Sequence, residues 1–199
     1  MKVITVVGIR DSGKTTIVEQ LIKGLQKKGY RVGTIKTIFC PGFHMDQDRT
    51  NTGRHAKAGA SIVTARAGKE TAILFQEPLK TSDLLRHYTG CDWVICEGDY
   101  EIPAPRIVAG REEKDALERI NPLTLAVSGV LANQRTEPVE AIPVIDSLNH
   151  PEELIGLLLK NVTDLEDPAV LDQPLNGDDI ALSRSWCLTG CRGHGKKKE

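Results

Sequence analysis

The sequence has no surplus of charge of either sign: 26 Lys and Arg stand against 27 Asp and Glu over 199 residues. Without a net basic field it lacks the counterion-releasing surface that non-specific nucleic-acid binding needs, so no nucleic-acid partner is expected. It has no long hydrophobic run either. No stretch approaches the roughly 18 apolar residues that cross a bilayer. The opening MKVITVVG gives way to Arg10 and Asp11 without a cleavage-site pattern, so no membrane partner and a cytoplasmic location are expected. Cysteine is sparse: five residues at irregular spacing (Cys40, Cys91, Cys96, Cys187, Cys191), which argues against a disulfide framework and for reduced thiols. Internal repeats are absent. What remains is 40% hydrophobic and 27% charged residues, the composition of a globular protein with a real core, in a length that suits one domain with or without an appendage.

Residues 2–7 (KVITVV) are a β-branched run that predicts a buried strand, broken at Gly8. From Lys14 to Lys28 the apolar positions Ile17, Val18, Leu21, Ile22 and Leu25 recur at helical spacing, with lysines in the last turn and Gly29 as the stop. Arg31–Lys36 (RVGTIK) predicts a second strand, so the first 36 residues read as a right-handed βαβ unit. Thr37–Gly59 has no clear period and reads as a long loop with some helix, the variable wall of a site. Residues 61–66 and 71–75 predict a strand pair around the turn Ala67–Glu70, and residues 79–88 a helix. Residues 92–96 (DWVIC), closed by Glu97-Gly98, together with 123–127 and 142–145, predict three more strands. A helix over 151–160 carries proline in its first turn and Leu154, Ile155, Leu158 and Leu159 on one face. Strands alternating with helices predict a three-layer α/β fold around a mostly parallel sheet, with the hairpin as a small insertion. The expected division is a domain over 1–162 and a weakly structured tail over 163–199.

The most specific element is Gly8-Ile9-Arg10-Asp11-Ser12-Gly13-Lys14-Thr15, which matches G-x-x-x-x-G-K-[ST] and lies between a strand and a helix, where that motif must lie. This makes the fold a P-loop NTPase fold. Glycines let successive backbone N–H groups turn inward, and the helix N-terminus adds positive partial charge, so anionic oxygens belong there. The expected nucleotide-binding residues are Gly8, Arg10, Asp11, Ser12, Gly13, Lys14, Thr15 and Thr16. Lys14 would lie along the β- and γ-phosphates, and the Thr15 hydroxyl would ligate Mg²⁺. Glu97, at a strand's carboxyl end, would hold Mg²⁺ or position an attacking water, which makes Lys14 and Glu97 the candidate catalytic residues. Asp46 and Asp48 in the long loop are alternatives for the metal. Arg54, His55, Arg106 and Arg111 suit phosphate recognition, or equally a solvated face. No Asn-Lys-x-Asp element reads guanine, and Asn133 is a partial substitute, so these residues leave GTP and ATP both open.

In order along residues 1–160, the loop GIRDSGKTT, the strand VGTIK, the segment TGRHAKAGA (Thr52–Ala60) and the Glu97-Gly98 pair followed by PRIVAGR (Pro105–Arg111) resemble the molybdopterin-guanine dinucleotide biosynthesis protein B family, MobB. The resemblance implies a GTP-binding, Mg²⁺-using adapter with weak GTPase activity, usually homodimeric, working beside the molybdenum cofactor guanylyltransferase that attaches GMP to the molybdopterin cofactor, for molybdenum or tungsten. Asn51, Gly53, Arg106 and Val108 depart from the residues usual in that family. Two other readings share the loop: a metallochaperone-type P-loop GTPase, and a small-molecule or nucleotide kinase. The first draws on the tail, where Cys187, Cys191 and His194 gather metal-ligand types within eight residues; three ligands do not close a tetrahedral site, and incidental cysteines are the plainer reading.

Overall fold

The computed structural model describes residues 1–46 and 49–173. Five parallel strands form the central sheet in the order β2-β5-β1-β6-β7: β1 Lys2–Gly8, β2 Val32–Lys36, β5 Trp93–Glu97, β6 Arg106–Ala109 and β7 Thr124–Ser128. β1 lies in the middle, paired with β5 (Val6 opposite Glu97) and with β6 (Gly8 opposite Ala109). The chain leaves β1 toward β2 on one side and leaves β6 toward β7 on the other. The carboxyl ends of the central strands therefore border a crevice of the kind that takes ligands in open α/β sheets. Central strands are buried on both faces, which is why β1 and β5 read as near-continuous apolar runs.

Helix α1 (Lys14–Lys27) and helix α5 (Pro151–Asn161) cover one face, packing Ile17, Leu21, Leu25, Leu154, Ile155 and Leu158 on Ile4, Val6, Ile95 and Ile107. Gly24 sits at their crossing, where a Cβ would stand 1.8 Å from Cδ1 of Ile155. On the other face Val3, Val94 and Cys96 meet Leu85, Ile102 and Leu171, while Val7, Val108 and Val127 meet Ala116, Leu131 and Val139. The hairpin β3 (Ile62–Arg66) and β4 (Thr71–Phe75) forms a separate antiparallel sheet, its turn closed by Ala67 N donating to the Glu70 carbonyl.

The expected strand over 142–145 is instead one isolated parallel bridge between Val144 and Val127, because Pro143 has no N–H to continue a ladder. Two elements were not expected. β6 is four residues long and begins with an arginine, so it carries neither length nor alternation; α4 (Glu113–Leu117) is little more than a turn, set by a capping box between Glu112 and Asp115. Within the long loop, α2 (Asn51–Lys57) starts at Thr50, whose hydroxyl accepts from Gly53 N at 2.9 Å. Residues 79–88 divide into α3 (Thr81–Leu85) and a 3-10 turn, Arg86–Tyr88. The first residues of the expected tail pack on the domain: Leu165 N donates to the Met1 carbonyl, Leu171 is buried, and Asp172 accepts from Ser82 N at 3.0 Å and from its hydroxyl at 2.5 Å. Cys187, Cys191 and His194 lie outside the described residues. Among the described residues no helix is long and apolar enough to cross a membrane.

Candidate functional site

β1 ends at Gly8, the chain turns through two left-handed residues, Asp11 (φ 58°) and Gly13 (φ 92°), and α1 begins at Lys14. α1 has no side-chain cap, so its first N–H groups are left facing the loop, the arrangement that receives anions. Glycine is required at Gly8 because a Cβ there would stand 2.2 Å from the Ala109 carbonyl oxygen. The loop is braced from three directions. Ser12 Oγ donates to the Ile9 carbonyl at 2.8 Å; Val130 N, just past β7, donates to the Ser12 carbonyl at 3.1 Å; and the Tyr100 hydroxyl accepts from Gly8 N at 3.0 Å while donating to Gly8 O at 2.5 Å. Gly129 permits the second brace, since a Cβ there would lie 2.1 Å from Ser12 O.

The charged side chains converge where the sheet ends. Lys14 Nζ folds back onto the Ile9 carbonyl at 2.5 Å. Burial lowers its pKa below 10.5, the Glu97 carboxylate opposes that, and the Lys36 ammonium adds to it. Glu97, 7% exposed, receives Thr15 Oγ1 at 3.0 Å and Lys36 Nζ at 2.8 Å on one oxygen, Oε1. Two adjacent ligands of an octahedral Mg²⁺ at 2.0–2.1 Å stand about 3 Å apart, so the Thr15 and Glu97 oxygens fit such an ion. Next to them Thr37 Oγ1 donates to Asp99 Oδ2 at 3.1 Å.

The structure thus brings together Gly8, Ser12, Gly13, Lys14, Thr15 and Glu97. Thr16 follows on the exposed side of the helix start, and Arg10 lies outward beside Asp11 at 3.6 Å, both groups largely in solvent. Arg111 is exposed just past the carboxyl end of β6, its N–H donating to Asp115. Arg54 and His55 are exposed on α2, which packs against β3 beside a cavity of about 440 Å³ lined by His44, Met45, Lys57 and Phe75. Asp46 accepts from the Thr50 hydroxyl at 2.6 Å at the entry to α2, whereas Asp48 lies outside the described residues. Arg106 is 3% exposed; it lies beneath the loop, donating Nη2 to the Tyr100 carbonyl at 3.2 Å. Asn133 is exposed at the end of the 3-10 turn whose first residue, Val130, braces Ser12. Among the described residues no group of three or more His, Cys, Asp or Glu gathers as a metal site.

Sequence reasoning missed Tyr100, Gly129 and Lys36. The last was legible only as the end of a strand; nothing local marks the other two.

A sequence profile described as molybdopterin guanine dinucleotide synthesis protein B, MobB, matches residues 3–129, a span that contains the loop, β5 with Glu97, and Gly129. The chain belongs to the MobB family. A relative from Haemophilus influenzae named molybdopterin-guanine dinucleotide biosynthesis adapter protein is 32% identical over 128 residues, 62% of this chain and 71% of its own. One from Methanocaldococcus jannaschii, described as an adapter protein of the same biosynthesis, is 31% identical over 133 residues, 64% of this chain; the match spans about half, 54%, of that relative's length. Among solved structures, Bacillus subtilis MobB shares the fold at 21% identity with a TM-score of 0.65, covering 83% of this chain and all of that one. A MobB homologue from Bacillus stearothermophilus is 25% identical with a TM-score of 0.57, over 79% and 96%. The mostly parallel sheet with its small hairpin is therefore the MobB P-loop fold.

Proposed function

We propose that this chain binds GTP with Mg²⁺ and serves as the adapter of a molybdenum cofactor guanylyltransferase during formation of molybdopterin guanine dinucleotide. The carrying observation is the shared Glu97 oxygen that receives Thr15 and Lys36 beside a loop already braced into its binding shape. A loop backbone formed before its ligand arrives lowers the ordering entropy that binding costs. Backbone N–H groups of residues 10–16 take phosphate oxygens, Lys14 lies along the β- and γ-phosphates, and Thr15 with Glu97 holds Mg²⁺, which when bound neutralises phosphate charge. Glu97 would also be placed to orient water, and the weak hydrolysis that the MobB resemblance implies suits an adapter acting in the cytoplasm.

The adapter role is carried by the names of the relatives, molybdopterin-guanine dinucleotide biosynthesis adapter proteins, and the guanine preference by the family resemblance. A homodimer is supported by the hairpin's outward face, where Ile62 and Ile73 are 54% and 48% exposed, and by exposed Phe39, Phe43 and Met45 in the preceding loop. Arg54, His55 and Arg111, all solvent-facing, are the proposed contacts for the pterin phosphate or the partner enzyme.

Calorimetric titration should give saturable GTP binding that needs Mg²⁺ and is weaker for ATP, and Lys14→Ala should abolish it while the circular dichroism spectrum stays unchanged. Added to transferase, molybdopterin and GTP, the protein should raise the yield of guanylylated product. No stimulation and no complex with the transferase would refute the adapter role and leave the nucleotide site standing; transfer of labelled phosphate to a metabolite would instead make the protein a kinase.

A further inference from the structure

We propose that Lys36 is a second phosphate-clasping cation, parked on Glu97 in the nucleotide-free protein, and that it makes the site prefer a nucleoside triphosphate to a diphosphate. This rests on the nucleotide reading above and deepens it.

Position comes first. Lys36 is the last residue of β2, in register with Glu97 at the end of β5, so the strand pair delivers its side chain to the sheet's carboxyl edge beside the loop. Its ammonium donates at 2.8 Å to Glu97 Oε1, the oxygen that also receives Thr15 at 3.0 Å. It therefore shares an acceptor with the residue best placed to ligate the metal.

The ion pair is built to exchange. The Lys36 side chain is 56% exposed while that of Glu97 is 9% exposed. A half-solvated pair on a four-carbon stem is weakly held, and lysine is a mobile point charge, unlike the rigid fork of arginine. Charge gives the direction of exchange. Lys36 and Lys14 both face the Glu97 carboxylate, with Asp99 beside it on Thr37, and the fields of the two ammonium groups oppose one another. A polyphosphate relieves that opposition. Once Glu97 shares a cation with Thr15 it no longer needs the ammonium, and the terminal phosphate of a nucleotide in the loop would offer Lys36 anionic oxygens in exchange. Lys14, fixed at the start of α1, reaches a diphosphate as well; Lys36 approaches from the β2 side and gains its partner from the third phosphate.

The test is the affinity for mant-GTP and mant-GDP, each with and without Mg²⁺, for wild type, Lys36→Met, Lys36→Arg and Lys14→Ala. With Mg²⁺, Lys36→Met should weaken mant-GTP about 10- to 100-fold, the range of one charge-assisted hydrogen bond, and mant-GDP less than about 3-fold. Lys36→Arg should keep most of the preference, and removing Mg²⁺ should shrink the difference between nucleotides. Equal weakening of both ligands by Lys36→Met, which a purely structural support of Glu97 would give, overturns the proposal, as does no weakening of either. Wild type that binds neither ligand, or Lys14→Ala that binds both undiminished, overturns the nucleotide reading itself; loss confined to Lys36→Met leaves that reading intact. Matching thermal melts for the variants exclude misfolding.

Discussion

Single residues at the loop carry opposite electrostatic burdens before ligand arrives. Burial keeps the Lys14 pKa below 10.5, so the folded chain sheds its proton more readily than the unfolded one. The sign follows: this burden on stability is full below the folded value and is relieved as pH rises from that value toward 10.5. Phosphate reverses it by favouring the ammonium form, so titrations at alkaline pH in buffers of different ionisation enthalpy should show net proton uptake on GTP binding that fades toward neutral pH; no uptake at alkaline pH would remove Lys14 from the phosphates. On Cys96, on β5 one residue before Glu97, burial acts in the opposite direction, because its charged form is the anion. Burial, aided by the nearby Asp99 charge, pushes its thiol up to about 12. At pH 8 iodoacetamide should modify the half-buried Cys40 and Cys91 well before Cys96, as read by peptide mass spectrometry.

Among elements, the contact between α1 and α5 is governed by Gly24. Alanine there gains about 1 kcal/mol of helix propensity, but its Cβ would stand 1.8 Å from the buried Ile155 terminus, and forcing a methyl into a filled core costs about 1–3 kcal/mol. Overpacking wins, so Gly24→Ala should lower stability by about 1 kcal/mol in urea unfolding. Ile155→Val removes the clashing methyl, so the double variant should be more stable than the two single effects summed; strict additivity would mean the helices adjust elsewhere. α1 itself was legible because one amphipathic stripe meets one strong stop. β6 and α4 were not, because an element of four or five residues takes its stability from neighbours: Arg106–Ala109 becomes a strand only by lying between β1 and β7.

For the molecule as a whole, the domain's end is set by packing. Residues just beyond Val162 bury Leu171 against Val3 and Val94, and Asp172 receives two hydrogen bonds from Ser82. Relative to a chain ending at Gln173, one ending at Val162 should lose about 2–4 kcal/mol, the cost of emptying a buried leucine site and exposing its surroundings. Equal midpoints for the two would return the boundary to Val162. Those Ser82 bonds, side chain first, also hold the Asp172 carboxyl below its ordinary 3.8. Its contribution is therefore present above that value and lost as pH falls through the lowered one, so this attachment should loosen under acid.

The sequence by itself determined the phosphate loop, the first βαβ unit, the hairpin and the family, because each rests on local chemistry: glycines that permit left-handed turns, a lysine at a helix start, and periods of two or 3.6. Only the tertiary structure decided what surrounds the loop. Lys36, the Glu97–Tyr100 stretch and Gly129 are far apart in the chain and meet because five parallel strands end at one edge, and Arg106, a candidate ligand by type, is buried because β6 lies between β1 and β7. Residue type specifies what a side chain can bind; strand order specifies what it can reach.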